Sequence, residues 1–256
     1  MKARLMILVA FLPLSTYAAR ITDPHIPQTA PERISAHSYT IQSFPDIGFV
    51  VGSNAVLVID TGLGPTNGAI VASQATRLAK NKKLYLVTTH FHPEHAGGEG
   101  GFPADTTLIR SRVQQEELTN DAGRMLGMFR QQPNFKELLP DNIVYRQPNI
   151  LFDSDYTLDL GGVHARIQLV GPAHTKGDQI VWVEEDRTLF SGDLGIHDEL
   201  PQRMADGVTV AMWIGVLDRL AALDPLHVVP DHGEPGDVNL IKAQRESLAK
   251  QVQERR

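Results

Sequence analysis

The segment Thr88-Thr89-His90-Phe91-His92-Pro93-Glu94-His95 carries three imidazoles and a carboxylate within a few residues. Neutral imidazole and carboxylate are the side chains that hold zinc and related divalent ions. Side chains two apart on an extended backbone point the same way, so His90 and His92 can converge on one ion. Pro93 breaks the extended chain and suits the first turn of a helix, which would swing Glu94 and His95 toward a neighbouring point. The chemistry this pattern suggests is a two-metal site assembled largely from one loop.

Other ligand-type residues recur in the same local context. The apolar run Leu84–Val87 reads as a buried strand emptying into the histidine loop. The alternating run His164–Val170 leads into Gly171-Pro172-Ala173-His174-Thr175-Lys176-Gly177-Asp178. Thr188–Ser191 ends in a small-residue turn with Asp193 at its tip, and His227–Val229 leads to Asp231-His232-Gly233. Each time a hydrophobic strand ends, a ligand-type side chain follows. Strand ends of an α/β sheet hold such groups rigidly while leaving them facing a crevice. Asp178 is expected to support the His174 loop, and His197 is a loop residue that could line a pocket. Lys176 and Arg203 are expected to be solvated charges, and His25, His37, His164 and His227 surface or strand residues.

Together these motifs resemble the metallo-β-lactamase superfamily of binuclear metallohydrolases. The resemblance rests on His-x-His-x-acid-His at 90–95, Gly-x-x-His-Thr-x-Gly at 171–177, Ser-Gly-Asp at 191–193, Asp-His-Gly at 231–233 and Val58-Ile59-Asp60-Thr61-Gly62. It implies that His90, His92 and His174 bind one metal, that Glu94, His95 and His232 bind a second, and that Asp193 bridges them. It also implies that Asp60 orients ligands without touching metal. Most relatives carry Asp where Glu94 stands, so Glu94 either reaches the second ion at an altered angle or serves as a proton acceptor. Asp193 and Glu94 are thus the candidate catalytic carboxylates. The implied cofactor is two zinc ions, with iron or manganese also compatible and the second position dependent on Glu94.

The chain has 256 residues, 42% of them hydrophobic, a net charge of −6 and no cysteine. No basic stripe is present, which argues against nucleic-acid binding. Met1-Lys2-Ala3-Arg4, the apolar Leu5–Leu14 and the small residues before Ala18 read as a secretory signal over 1–18. A Pro-rich lead at 19–37 and a single metallo-hydrolase domain at 38–256 follow. Export to a periplasm-like compartment is expected, with no stable membrane association once the signal is removed. Without cysteine, neither disulfides nor a thiolate ligand are available, which excludes the lactamase branch that places Cys in its second site.

The expected strands are Ser38–Ser43, Gly48–Gly52, Ala55–Asp60, Leu84–Thr88, Thr107–Ile109, Asn142–Arg146, Tyr156–Leu158, Ala165–Val170, Ile180–Val183, Thr188–Phe190 and His227–Val229. Helical spacing is present at Thr66–Lys80, Ser111–Arg130 and Val208–Leu223, with a terminal helix from about Asp237. Met125, Leu126, Met128 and Phe129 are expected to pack in the core. Strands in both halves with helices between them suggest an α/β fold, and the resemblance sharpens this to a four-layer αβ/βα sandwich. The implied activity is hydrolysis of a small molecule, a metal-bound hydroxide attacking an ester, thioester or lactone carbonyl. β-Lactam hydrolysis is the alternative, and a non-catalytic periplasmic metal-binding protein is the alternative of another class.

Overall fold

The computed structural model describes residues 23–196 and 204–254. The expected signal segment, His197 and Arg203 lie outside the described residues.

Two sheets form the centre of the molecule. The first has seven strands in chain order: β1 (Glu32–Arg33), β2 (Ser38–Ile41), β3 (Ile47–Val51), β4 (Ala55–Ile59), β5 (Lys83–Val87), β6 (Thr107–Ser111) and β7 (Ile150–Phe152). Pairing is antiparallel from β1 to β4 and parallel from β4 to β7. The second sheet runs β8 (Asp155–Asp159), β9 (His164–Leu169), β10 (Gln179–Val183), β11 (Thr188–Gly192) and β12 (His227–Pro230), with β12 at one edge and β8 at the other. Only β11 and β12 are parallel there.

The apolar residues explain why these layers stack. Ala55-Val56-Leu57-Val58-Ile59 is apolar at every position and buried on both faces, the pattern of a covered sheet. Its alternate residues Leu57 and Ile59 join Val87 and Ile109 of the first sheet and Ile167, Val181 and Phe190 of the second in one core between the sheets. Val58, Leu86 and Leu108 face the other way, onto Val71, Ala72 and Ala75 of helix α1 (Gly64–Ala79). On the far side, Ile180, Trp182 and Leu189 pack under Trp213, Val216 and Leu217, and under Ile241 and Leu248. Those residues come from the helices at Val210–Ala222 and Val238–Glu254. The order is therefore helix, sheet, sheet, helix, the expected four layers. No helix among the described residues is long and apolar enough to cross a membrane.

The helices between these begin and end where their sequences direct. A four-residue helix, α2 (Pro93–Ala96), starts on Pro93 after extended His92. Helix α3 (Arg112–Phe129) is continuous, and the Ser111 hydroxyl caps it by accepting from the Gln114 amide at 3.2 Å. A short turn, α4 (Pro133–Lys136), follows; α5 (Val210–Ala222) and α6 (Val238–Glu254) complete the set. Met125 and Leu126 are buried as expected, whereas Met128 and Phe129 are half-buried.

One expected strand is absent. Residues 142–146 are irregular, and the strand of this region is β7. The reason lies in Arg146, whose amide donates to the Glu99 carboxylate at 2.8 Å. Its guanidinium donates to the carbonyls of Pro103, Ala104 and Thr106. A backbone committed to a side chain cannot join a strand ladder. The lead residues are also more engaged than a Pro-rich tether requires. Ile26 is buried, its amide donating to Asn67 Oδ1 at 3.1 Å, and β1 extends the first sheet.

Asp186, in the turn between β10 and β11, ties the second sheet to the edge of the first. Its carboxylate accepts from Ser35 Oγ at 2.5 Å and from the His37 amide at 2.7 Å, and lies 2.8 Å from His37 Nδ1. Burial alone would raise its pKa, but these hydrogen bonds outweigh it and hold the carboxyl below the usual range. A depressed folded value stabilises the fold above the unfolded pKa of about 4. That contribution is lost as pH falls through the folded value. Asp186→Asn is expected to lower stability at pH 7 and to flatten this acid limb in urea melts from pH 7 to 3.

Candidate metal centre

The ligand-type residues meet where the strand ends of both sheets face each other. β4 and β5 are parallel with Ile59 opposite Val87, so Asp60 and the Thr88–His95 segment leave the same edge. β11 and β12 are parallel with Gly192 opposite Pro230, which delivers Asp193, Asp231 and His232 side by side. Gly192 adopts φ +61°, and a Cβ there would sit 3.1 Å from Thr89 Cβ, so this turn favours glycine. The loop after β9 brings His174 from the remaining direction.

Two groups of donor atoms result, and a third that overlaps both joins His90, His95, Asp193 and Asp231. His92 Nδ1 lies 3.0 Å from His90 Nε2 and 3.2 Å from His174 Nε2. Glu94, His95 and His232 form a second group in which His95 Nε2 is 3.8 Å from Glu94 Oε1. Asp193 stands between them. Its Oδ2 is 3.4 Å from His174 Nε2 and 3.9 Å from His90 Nε2. Its Oδ1 is 3.3 Å from His232 Nε2 and 3.7 Å from His95 Nε2. All seven residues singled out in the sequence therefore converge.

Several features of this cluster fit divalent cations. Glu94 Oε2, His95 Nε2, Asp193 Oδ1 and His232 Nδ1 are buried without a hydrogen-bond partner. Buried polar atoms left so are costly unless an ion satisfies them. Burial, reinforced by neighbouring imidazoles, holds His90 well below its ordinary pKa. His232 is pushed down to about 4, chiefly by burial. Both are thus neutral at pH 7, the state a ligand requires. Burial opposes charge on His95 too, but Asp193, Asp60 and Asp231 overcome it and raise its pKa well above the ordinary value. Burial raises the neighbouring Glu94 to about 8, so a cation bound here would displace protons from the cluster. The His/Asp cluster can hold metal.

Behind these side chains is a hub in which Thr89 and Asp231, whose roles the sequence did not announce, meet Asp60. The Thr89 hydroxyl lies 2.9 Å from Asp60 Oδ2 and 2.8 Å from Asp231 Oδ2, while the Thr89 amide donates to Asp60 Oδ1 at 2.7 Å. A hydroxyl has one proton and can serve only one of the two carboxylates. Burial and the charge of Asp60 raise Asp231 to about 7, so this acid can hold a proton of its own. His95 Nδ1 is 3.1 Å from Asp60 Oδ2 and 3.3 Å from Asp231 Oδ2. Its proton is drawn to that side, which leaves Nε2 turned toward Asp193 and His232. Asp60 takes φ +67° at the strand end, an uncommon conformation outside glycine. Thr89→Val, which keeps the shape and removes the hydroxyl, is expected to weaken metal binding about 10–100-fold, measured by competition with a chelator.

The His174 loop has its own supports. Asp178 accepts from the Thr175 amide and hydroxyl at 2.9 and 2.5 Å and from the Ala173 amide at 3.1 Å. Burial raises its pKa to about 8 despite these bonds. The role expected for Asp178 is the one it has. Glu117 of α3 accepts from the amides of Lys176 and Gly177 at 3.0 and 2.8 Å. A Cβ on Gly177 would come within 2.7 Å of the Gln114 backbone, so only glycine allows this approach. Gln179 stitches the sheets together: its amide donates to Thr89 O at 2.7 Å and its side chain to Thr88 O at 2.6 Å. Neither glutamine nor Glu117 has a local sequence signal. Their roles arise only from packing. Of the other histidines, His25 is exposed beside Asp23, His37 meets Asp186 and His164 meets Glu185, all peripheral as expected.

A double-sheet sandwich with a histidine and carboxylate cluster at its strand ends defines a metallohydrolase type of architecture. Residues 42–232 match the metallo-beta-lactamase superfamily, and the chain belongs to it. It is 24% identical over 207 residues to the Beta-lactamase-like protein 2 homolog of Caenorhabditis elegans, covering 78% of this chain and 60% of that protein. It is 25% identical over 231 residues to the human Acyl-coenzyme A thioesterase MBLAC2, covering 78% and 75%. With the Linear primary-alkylsulfatase of Pseudomonas sp. it shares 21% over 213 residues, spanning 70% of this chain and 40% of that enzyme. Among solved structures, a metallo-beta-lactamase from Pontibacter korlensis superposes with TM-score 0.69 at 19% identity, covering 86% of this chain and 98% of that one. The sec-alkylsulfatase Pisa1 from Pseudomonas sp. gives 0.68 at 16%, covering 86% and 41%. These structural likenesses show the shared fold.

Proposed function

We propose that this protein is an exported, metal-dependent hydrolase that opens an ester, thioester or lactone carbonyl in a small molecule. The observation that carries the reading is Asp193, whose two carboxylate oxygens each face a different imidazole group. His90, His92 and His174 would hold one ion, Glu94, His95 and His232 the other, and Asp193 would contact both. Two zinc ions suit this donor set, and iron or manganese is compatible with it. When bound, such ions supply Lewis acidity and bring the pKa of bound water to around 7.

The chain's own residues do the rest. Asp193 offers an acceptor to a water placed between the two groups and fixes the direction of its lone pairs. The Asp60, Thr89 and Asp231 hub keeps His95 in one tautomer. The human thioesterase relative supports an acyl substrate, and the absence of cysteine disfavours the β-lactamase branch that uses a thiolate ligand.

The test is a panel of chromogenic ester, thioester, lactone, cephalosporin and sulfate substrates, each assayed before chelation, after chelation and with zinc restored. Acyl substrates are expected to be turned over, activity falling at least tenfold on chelation and returning with zinc, on the scale at which metal polarisation contributes. Cephalosporin turnover near about 10⁸ M⁻¹s⁻¹ with inert esters would instead identify a β-lactamase. Bound zinc with no turnover of any substrate would favour a metal-binding protein. Export rests on residues 1–18, and N-terminal sequencing of the mature protein tests it.

A further inference from the structure

A cavity of about 340 Å³ opens beside His92 and His174, between α3 and the chain at Met204–Asp206. That is the lower end of the range for small-molecule sites, enough for one modest substituent and too small to enclose a large acyl carrier. Its apolar lining includes Phe91, Val113 and three methionines, Met125, Met128 and Met204, whose flexible thioethers adapt to an aliphatic chain. Its charged lining is unbalanced: among the described residues, four carboxylates (Glu116, Glu117, Asp121, Asp206) meet two cations, Arg124 and Lys176. Arg124 is engaged with Asp121 at 3.1 Å, and Glu117 is turned to backbone amides. Among the described lining residues, the exposed Glu116 and Asp206 are therefore left with one cation, Lys176.

We propose that this cavity is the subsite for an apolar substrate arm that carries no negative charge, and that Glu116 and Asp206 disfavour anionic arms. This rests on the hydrolase reading, and it narrows the substrate class within it. Substrates whose arm itself ends in a carboxylate or phosphate would be poor substrates here. Neutral and cationic acyl esters would be accepted. The preference is electrostatic and exposed to solvent, so it weakens as salt shortens the screening length to roughly 8 Å at 0.15 M.

The experiment compares three para-nitrophenyl esters of matched length, ending in methyl, trimethylammonium or carboxylate, with the zinc-loaded full chain. The neutral and cationic esters are expected to exceed the anionic one in kcat/KM by about tenfold at low salt, the scale of steering in a charged cleft. The gap should shrink as salt is added. The double variant Glu116→Lys/Asp206→Lys, at two exposed positions, should narrow or invert it. Equal kcat/KM for all three esters, or a ratio unmoved by the double variant, overturns the proposal.

A binding measurement keeps the subsite claim separate from catalysis. Hexyltrimethylammonium and hexyl sulfate are titrated while the methionine methyl resonances are followed by NMR. The cation is expected to shift resonances assigned to Met125, Met128 or Met204, with the sulfate at least fivefold weaker. Equal affinity, or shifts elsewhere only, rejects the subsite. Failure of ester, thioester and lactone turnover alike, with this binding preference intact, would sink the hydrolase reading alone.

Discussion

Asp193→Asn is expected to lower kcat/KM for the best acyl substrate by about a thousandfold, equivalent to about 4 kcal/mol of transition-state stabilisation. The substitution keeps the shape and removes the charge from the group whose oxygens face His174 and His90 on one side and His232 and His95 on the other. With the shared anion gone, the two imidazole groups lose the acceptor common to both. Metal content measured by mass spectrometry should fall as well. Asp193 sits in an exit turn and takes little part in the core, so the circular dichroism spectrum should stay unchanged. A folded variant with full activity and full metal loading would show that Asp193 bridges nothing.

Arg110→Met is expected to cost about 3–5 kcal/mol of stability by leaving Glu99 charged and unpaired in the interior. Arg110 and Glu99 are both fully buried and form a close ion pair. Burial raises the Glu99 pKa even against the pull of Arg110 and the hydrogen bond from the Arg146 amide. The pair pins the turn Glu99–Gly101, just after α2, to β6 and to the irregular segment at residues 143–146. At this chain length such a loss lowers Tm by about 10 °C. The double variant Arg110→Met/Glu99→Gln removes both charges and should recover part of the loss. If it melts no higher than Arg110→Met alone, the cost does not come from an orphaned charge.

The irregular segment at 142–146 shows where reading the chain by local pattern stops short. Ile143, Val144 and Tyr145 look like a strand, yet Val144 is 61% exposed and the Arg146 amide serves a carboxylate. Apolar spacing describes what a segment can do alone; the buried Glu99, far away in the chain, decided what it does. The opposite holds at residues 88–95. There the strand, the proline and the spacing of the histidines are all local, and the expected loop and helix start were found.

The ligand types and their positions at strand ends were legible from the chain because each depends on a few consecutive residues. Strands in both halves with helices between them read as an α/β fold, and only the family resemblance implied the four-layer order. Thr89 reaching Asp231, Glu117 capping the His174 loop and Gln179 joining the two sheets were not legible. These contacts link residues dozens of positions apart, and their geometry exists only once one sheet has packed on the other. Sequence spacing proposes which atoms can bind; the packing of two sheets settles which of them are held in place.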